Sequence, residues 1–391
     1  MSVIFFIFQM LKPEPRPQQS EPVDNSATDG LPQSNPGYKA LLCLTILLAI
    51  YYCIYMIWCV NHLPVYTWDS IATSVYNSKI LFYEKSLSAQ KNFAHLSYPL
   101  QFPIIITWIS LHLGEWNDQA IKYLFPVTFI MFTILLHHFL SLWVGKKKAL
   151  WGVLMLFSSN FLIYHATISY RDILMMFYVV GSILFMFEWN RTKLIGYLIL
   201  SALFIGFSTF LKLEGTAYAL ILGLTLLYTL YLNRNQKNQS NLKALIHFCF
   251  PILFLWGSYI VYKSQMHFPS SEYVEINMFN IFSRTFLTVK AFYCTIFTNA
   301  NWNIIWIILL IVTIKEWKTV VKKTHLHLLY LPLILFLGLH FTLGTLSDKG
   351  DHVISSSTLC RLFIHFFPLT IVIILFLFDF SPTKKHKEKL L

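Results

Sequence analysis

The sequence predicts an all-α polytopic membrane protein with about ten transmembrane helices and with interfacial helices in the first extracytoplasmic loop. Of its 391 residues, 56% are hydrophobic and 17% are aromatic, and the mean hydropathy is +0.57. Charged residues make up 12%, about half of the roughly 25% that is usual in soluble domains. We therefore expect lipid to surround much of the chain.

Ten apolar runs come close to the length that crosses the hydrocarbon core of a bilayer as a helix. They lie at residues 39–61, 119–144, 149–166, 173–189, 194–211, 215–232, 244–262, 301–314, 328–345 and 362–379. A further apolar run at 98–113 is short and contains Pro99 and Pro103. We expect it to form a helix that lies at the outer interface instead of crossing the membrane.

Short basic clusters occupy alternate gaps between these runs, for example residues 146–148 and 384–389. Because such clusters stay on the cytoplasmic side, both termini are predicted to be inside. The inner face then carries 19 Lys and Arg with 8 Asp and Glu, and the outer face carries 11 and 10. The net charge of +12 is therefore a topology signal, and we expect the lipid bilayer as a partner and no nucleic acid.

The chain divides into three predicted segments. Residues 1–38 are rich in Pro, Gln and Ser without hydrophobic periodicity, which is typical of a disordered tail, here cytoplasmic. Residues 39–380 form the transmembrane domain, and residues 381–391 form a basic cytoplasmic tail. No loop outside the membrane is long enough to fold alone, so any site must be built from outer loops and span ends.

Motif searches exclude several chemistries and imply no cofactor. The six cysteines are scattered without a C-x-x-C pair, which indicates small packing residues. The sequence contains no Walker loop, G-x-S-x-G or H-E-x-x-H motif. Asp348 and Asp351 stand three apart in a loop, a weak signal for a metal ion. No divalent cation is implied.

Charge within hydrocarbon is costly, so ionisable residues gathered at one interface favour a binding or catalytic site. Asp69 follows the first span in an aromatic setting and could act as a general base, or it could simply cap a helix. His95 and Tyr98 precede the two prolines, where they could donate hydrogen bonds to a ligand or form a structural turn.

The remaining candidates each have a structural alternative. Arg171 and Asp172 open a span. The helix dipole alone would favour Asp172 at that position, and Arg171 could simply snorkel to the interface. Lys212 and Glu214 could bind a phosphate or pair with each other. Arg361 and His365 stand four residues apart on one helical face, where they could bind an anionic headgroup or snorkel to the interface. The candidate set is Asp69, His95, Tyr98, Arg171, Asp172, Lys212, Glu214, Arg361 and His365.

The order of these segments along residues 39–380 resembles the GT-C superfamily of polytopic glycosyltransferases. The branch in question holds the bacterial lipid A aminoarabinose transferases and the protein O-mannosyltransferases. The similar features are Asp69 after the first span, Tyr-Pro-x-x-x-Pro at 98–103, the basic turn at 146–148, Tyr-Arg-Asp-Ile-Leu at 170–174, Lys-x-Glu-Gly at 212–215 and Thr-x-x-Arg-Leu at 358–362.

The resemblance implies an enzyme that moves a sugar from a polyprenyl-phosphate donor to an extracytoplasmic acceptor, with inversion at the anomeric carbon. Asp69 matches the family's first-loop acid, which acts as base or positions the acceptor, and Asp172 matches its span-opening acid. Lys212, Arg171 and Arg361 are the matching candidates for the phosphate. His95, Tyr98, Glu214 and His365 are further substrate-binding candidates. The implied location is the inner (plasma) membrane, or alternatively the endoplasmic reticulum membrane.

The acceptor stays open between lipid, glycan and protein, because the segment Trp68-Asp69-Ser70 of the first loop carries one carboxylate where the family often has a doublet of acids. Other functions also stay open. A surface-polysaccharide polymerase or ligase would use the same outer-face Arg and His residues. A flippase or transporter of lipid-linked substrates would need ionisable groups at the bilayer midplane and broken helices in matching repeats, and a structural membrane subunit would need neither.

Overall fold

The computed structural model describes residues 36–94, 96, 98–234, 241–266, 276, 281–347 and 350–378. Every regular element in those residues is a helix, as the all-α prediction requires. The α-helices are α1 Pro36–His62, α2 Val75–Glu84, α3 Gln101–Leu113, α4 Asp118–Lys122, α5 Leu124–Val144, α6 Lys146–Phe157, α7 Asn160–His165, α8 Asp172–Thr192, α9 Ile195–Leu211, α10 Glu214–Leu232, α11 Asn241–Gln265, α12 Ile281–Tyr293, α13 Ile305–Lys315, α14 Trp317–Lys322, α15 Thr324–Leu346, α16 Gly350–Ile354, α17 Ser356–Ile364 and α18 Phe367–Leu377. Residues 1–35 and the predicted basic tail at 381–391 lie outside the described residues.

Among the described residues, six helices are long and apolar enough to cross a bilayer, or seven if the bent pair α17 and α18 counts as one span. The long helices are α1, the joined α4 and α5, α8, α10, α11 and α15. Helices α3, α9 and α13 are apolar but shorter. The protein is therefore a multi-pass membrane protein, but the predicted count of ten spans is not confirmed.

Besides the run 362–379, which bends between α17 and α18, two of the predicted spans differ from the helices in the structure. The run 149–166 was expected to be one helix, but it breaks into α6 and α7 at Ser158 and Ser159, where the Ser159 hydroxyl caps α7 by accepting from Leu162 N. The run 301–314 yields only the 11-residue helix α13, because Ala300 and Asn303 adopt positive φ values of 50° and form a turn. Hydropathy alone does not detect either break.

Helix α8 lies at the centre of the bundle, where it contacts α5, α9, α10, α15 and α17. Its span is 89% buried, whereas the spans of α1 and α11 at the periphery are 17% buried. A helix that is apolar on all sides packs inside a bundle. Small residues allow α9 to approach closely: Ser182 Oγ donates to Ser201 O at 2.8 Å, and a Cβ at Gly181 would meet the ring of Phe204.

The chain reverses direction around α8, so several helix ends meet at one end of the bundle. Helices α8 and α10 begin there, at Asp172 and Glu214, and α9 ends there at Leu211. Helices α17 and α18 meet at a 54° bend, where Phe366 leaves the helical conformation and Pro368 opens the new helix. The charged residues predicted to form a site therefore lie on segments that converge at this end.

Candidate active site

Asp69 begins a π-helical turn that follows α1. It occupies the N-cap position of that turn, yet its side chain makes no capping hydrogen bond. The Asp69 carboxylate instead lies with Oδ2 2.6 Å from Nη1 of Arg361, and 40% of the Asp69 side chain is exposed. The Asp69 carboxylate therefore does not cap a helix in this structure. It is accessible to a ligand.

Asp172 is the first residue of α8, and its side chain is fully buried. Oδ1 accepts hydrogen bonds from Lys212 Nζ at 3.1 Å and from His365 Nε2 at 3.0 Å. Oδ2 accepts from Arg361 Nε at 3.1 Å. The helix dipole also favours a negative charge at this terminus. Asp172 thus holds the side chains of Lys212 and Arg361 in place, and its own carboxylate is not accessible to a substrate.

Lys212 stands in the tight connection between α9 and α10, in an extended conformation with φ −145° and ψ 155°. The connection can be this tight because of Gly215, where a Cβ would lie 2.0 Å from Ser208 O. Lys212 Nζ also lies 3.5 Å from Glu214 Oε1. Burial lowers the pKa of Lys212, but the carboxylates of Asp172 and Glu214 outweigh burial and raise that pKa above its ordinary value. Lys212 is therefore a fixed cation.

Arg361 bridges Asp69 and Asp172, and its guanidinium also lies over the ring of Tyr170, 4.2 Å from the ring centroid. His365 stands one helical turn later and ends α17. Both side chains reach Asp172, so the predicted common face of residues 361 and 365 is present. Stacking on Tyr170 holds the planar guanidinium, and the Arg361 side chain stays 26% exposed.

Arg171 is a buried cation held between aromatic rings. Its guanidinium carbon lies 4.6 Å from the ring centroid of Tyr98 and 5.5 Å from that of Phe102. Burial lowers the pKa of Arg171, but an arginine remains charged in a protein. Its Nε and Nη2 atoms are buried without a hydrogen-bond partner among the described residues, and such groups are costly unless a ligand satisfies them.

One cavity joins these residues at the end of the bundle. It has a volume of about 100 Å³, which would hold a few water molecules or one phosphate-sized anion. Its lining consists of Asp69, Thr73, Ser74, Tyr98, Tyr170, Arg171, Lys212 and Arg361. Three cations and one carboxylate therefore face the same small space, which suits an anionic ligand and a nearby proton acceptor.

The predicted site residues fall into four groups. Asp69, Tyr98, Arg171, Lys212 and Arg361 line the cavity. Asp172 and His365 lie in the same cluster but are completely buried and do not line the cavity, so the catalytic role expected of Asp172 and the substrate-binding role expected of His365 remain predictions. Glu214 pairs with Lys212 and does not line the cavity. His95 lies outside the described residues.

Several residues of the site escaped the sequence analysis. Thr73, Ser74 and Tyr170 line the cavity, and only the position of Tyr170 beside Arg171 gave a signal. His165 is buried with Nδ1 3.8 Å from Asp172 Oδ2. Burial lowers the pKa of His165 to about 3, against the opposite effect of Asp172, so His165 is neutral.

Two further residues, Tyr218 and His340, are buried, and the Tyr218 hydroxyl is hydrogen-bonded to both His340 and His365. The signal for His340 was an ionisable residue inside an apolar run, where such residues are rare and favour function. Tyr218 gave a weaker signal, since it stands one turn after Glu214 on the same helical face.

Comparison with known proteins identifies the fold. No protein-family model matches the sequence, and no curated protein matches it. Two solved structures do match, both of ArnT from Cupriavidus metallidurans. The apo crystal structure has a TM-score of 0.59 and the crystal structure bound to undecaprenyl phosphate has a TM-score of 0.58, each at 12% sequence identity.

These alignments cover 87% and 85% of this chain, and 60% and 59% of ArnT. The chain thus spans about three-fifths of the length of ArnT. At this identity the similarity establishes the fold. The resemblance drawn from the sequence is confirmed at that level: the chain has the polytopic fold of the aminoarabinose transferase ArnT.

Proposed function

We propose that this chain is an integral-membrane glycosyltransferase that moves a sugar from a polyprenyl-phosphate donor to an extracytoplasmic acceptor with inversion. The observation that carries the proposal is the convergence of Asp69, Arg171, Lys212 and Arg361 on one cavity within an ArnT-like fold. The ArnT structure with undecaprenyl phosphate supports a lipid phosphate as the donor's carrier. The acceptor is a hydroxyl-bearing lipid, glycan or protein.

Donor binding follows from the cations of the cavity. A sugar phosphate brings one negative charge, and Arg171 offers two buried nitrogens, Nε and Nη2, that have no hydrogen-bond partner among the described residues. Lys212 and Arg361 face the same space, each already oriented by Asp172. Charge-assisted hydrogen bonds from such preorganised donors are strong. The phosphate is held in the cavity, and the sugar extends through its mouth toward Asp69.

The transfer needs one base and several cations. Asp69 accepts the proton of the acceptor hydroxyl as that oxygen forms a bond to the anomeric carbon. The bond from the anomeric carbon to the phosphate oxygen breaks on the opposite face of the sugar, and its electron pair remains on the phosphate. Inversion results. Arg171, Lys212 and Arg361 stabilise the charge that grows on the departing polyprenyl phosphate.

The buried Asp172 and the partly buried Glu214 serve this chemistry indirectly. Each lies against Lys212 and keeps that side chain charged and oriented. We therefore propose a positioning role for Asp172 in place of direct catalysis. We also propose that helices α2 and α3 lie at the extracytoplasmic interface and that the cavity opens on that side of the inner membrane, where lipid-linked sugars and acceptors meet.

The test is sugar transfer by the purified full-length protein in lipid nanodiscs. The donors are a panel of polyprenyl phosphates carrying a hexose, a pentose or an amino-pentose, and a cell-envelope extract supplies acceptors. We expect one donor to release polyprenyl phosphate while its sugar mass appears on one acceptor. Asp69→Asn should abolish the release. Asp351→Asn is the matched control, because the Asp351 side chain is 87% exposed and its ion pair among the described residues is a long one, 3.5 Å to Arg284 Nη2.

Release that is equal in the wild type and in Asp69→Asn for every donor would refute the proposal. A product extended by many sugars instead of one would identify a polymerase.

A further inference from the structure

Beneath the cavity, a chain of three buried side chains continues from Asp172 into the bundle. His365 Nε2 lies 3.0 Å from Asp172 Oδ1, His365 Nδ1 lies 2.9 Å from Tyr218 Oη, and Tyr218 Oη lies 2.9 Å from His340 Nε2. All four residues are fully buried. They come from α8, the end of α17, α10 and α15. We call His365, Tyr218 and His340 the histidine–tyrosine chain.

The hydrogen positions in this chain follow from what each atom can donate. Asp172 already accepts from Lys212 and Arg361, so it is ionised and can only accept. His365 Nε2 must therefore carry a hydrogen and donate it to Asp172. In a neutral imidazole the other nitrogen is then bare, so His365 Nδ1 accepts the hydrogen of the Tyr218 hydroxyl.

The same reasoning fixes His340. The single hydrogen of the Tyr218 hydroxyl is already given to His365, so Tyr218 Oη can only accept from His340. His340 Nε2 therefore carries a hydrogen, and its Nδ1 is bare. The structure agrees with this assignment, because His340 Nδ1 is buried with no partner among the described residues. A bare nitrogen there costs less than an unpaired N–H would, since no donor is left unsatisfied.

We infer that Tyr218 and His340 are positioning residues that act through His365 on the Asp172 carboxylate. This inference rests on the proposed function and extends it beyond the cavity. One directional set of hydrogen bonds runs from His340 through Tyr218 and His365 to Asp172, and it holds Oδ1 in place. The Asp172 carboxylate then sets Lys212 and Arg361 toward the departing phosphate. Such outer-shell partners fix the orientation and tautomer of the groups that act directly.

The first test measures turnover in Tyr218→Phe. This change removes one hydroxyl and keeps the ring that packs on Phe336, 4.8 Å away between centroids. We expect kcat to fall about tenfold, because one buried hydrogen bond is lost and Asp172 gains freedom. The donor KM should stay within about twofold, since the cavity cations remain and the phosphate charge is greatest in the transition state.

Tyr228→Phe is the matched control. Tyr228 lies on the same helix α10, about 15 Å along the axis from Tyr218, and its hydroxyl also bonds a histidine, His327 Nδ1 at 3.0 Å. Loss of the Tyr228 hydroxyl should leave kcat unchanged. A second pair of variants serves if Tyr218→Phe fails to fold. His340→Gln retains an N–H donor for Tyr218 and should retain turnover. His340→Leu removes that donor and should lose turnover.

The second test needs no turnover, so it separates this inference from the proposed function. Nitrogen NMR of isotope-labelled histidines reports which ring nitrogen carries hydrogen, and His340→Gln and His365→Gln assign the two signals. We expect both residues as neutral Nε2–H tautomers at neutral pH, with the Nδ1 signal of His365 shifting in Tyr218→Phe. A cationic His365, an Nδ1–H tautomer, or wild-type kcat in Tyr218→Phe would overturn the inference. An absence of sugar transfer by the wild type would refute the proposed function and leave the tautomers to be judged by NMR.

Discussion

Asp69 Oδ2 lies 2.6 Å from Nη1 of Arg361, while Nε of the same guanidinium holds Asp172 at 3.1 Å. The proposed base therefore occupies an N–H group that a donor phosphate also needs. A phosphate that enters the cavity competes with Asp69 for Arg361. In the proposed reaction, a phosphate that displaces Asp69 from Arg361 would free the Asp69 carboxylate to accept a proton, so donor binding would prepare the base before the acceptor reacts.

This competition gives Asp69→Asn two opposite effects. Transfer should fall by about a hundredfold or more, because an amide cannot serve as a base. Affinity for undecaprenyl phosphate should rise several-fold, because a half-exposed ion pair worth up to ~1 kcal/mol no longer opposes binding. Binding of labelled undecaprenyl phosphate to the protein in nanodiscs measures the second effect. Weaker binding than in the wild type would contradict the competition, and Asp69→Ala should behave in the same way as Asp69→Asn.

Arg361→Lys and Arg361→Ala test the bridging geometry. A lysine offers one point charge and cannot meet Asp69, Asp172 and a phosphate with separate N–H groups. We expect Arg361→Lys to weaken undecaprenyl phosphate binding about tenfold, and Arg361→Ala to weaken it further while lowering thermal stability, because the buried Asp172 loses a partner. Arg284→Ala is the control, since the Arg284 ion pair with the exposed Asp351 is long at 3.5 Å. Equal binding by both Arg361 variants would indicate a packing role for Arg361.

The sequence predicted which residues lie at one end of the bundle better than it predicted their surroundings. Period and spacing were sufficient for the common face of Arg361 and His365, which are four residues apart. They could not predict that Asp69 pairs with Arg361 across 292 positions, because that contact depends on how α1 and α17 pack. The burial of Asp172 is likewise a result of packing, since a span-opening acid has the same local sequence whether it faces water or another helix.

The missed helix breaks have a local cause that hydropathy does not register. Ser158 and Ser159 are small and tolerated in an apolar run, yet the Ser159 hydroxyl also donates to Asn301 O, which fixes the break from a distant loop. The sequence analysis named His365 of the histidine–tyrosine chain but missed Tyr218 and His340, for a related reason. His340 stands inside an apolar run, and its meaning depended on partners from three other helices.

Gly215→Ala should disrupt the connection that aims Lys212 at Asp172. The new Cβ would lie 2.0 Å from the backbone oxygen of Ser208, and backbone cannot move aside as a side chain can. We expect a loss of about 1–3 kcal/mol of stability together with weaker undecaprenyl phosphate binding. Gly223→Ala on the same helix is the control, because its Cβ meets nothing within 4 Å, and an alanine in a helix interior is favourable. Thermal unfolding that is unchanged in Gly215→Ala would contradict this account.

Stability should fall in acid partly through His165. Burial lowers the pKa of His165 to about 3 in the folded protein, whereas the unfolded chain titrates near 6.5. Between those values the unfolded state binds the extra proton, so the contribution is complete above about pH 6.5 and declines as the pH falls toward 3, by up to ~1.4 kcal/mol per pH unit. Lys212 has the opposite effect. Because its pKa is raised in the folded protein, its charge stabilises the fold at all pH values below about 10.5, and that contribution is lost only at higher pH.

Thermal unfolding in detergent between pH 4 and pH 8 should show a shallower acid slope in His165→Phe than in the wild type, because the phenyl ring cannot take up a proton in either state. Identical acid slopes in the two proteins would mean that His165 is not the group that titrates, and the acid sensitivity would then be assigned to other residues.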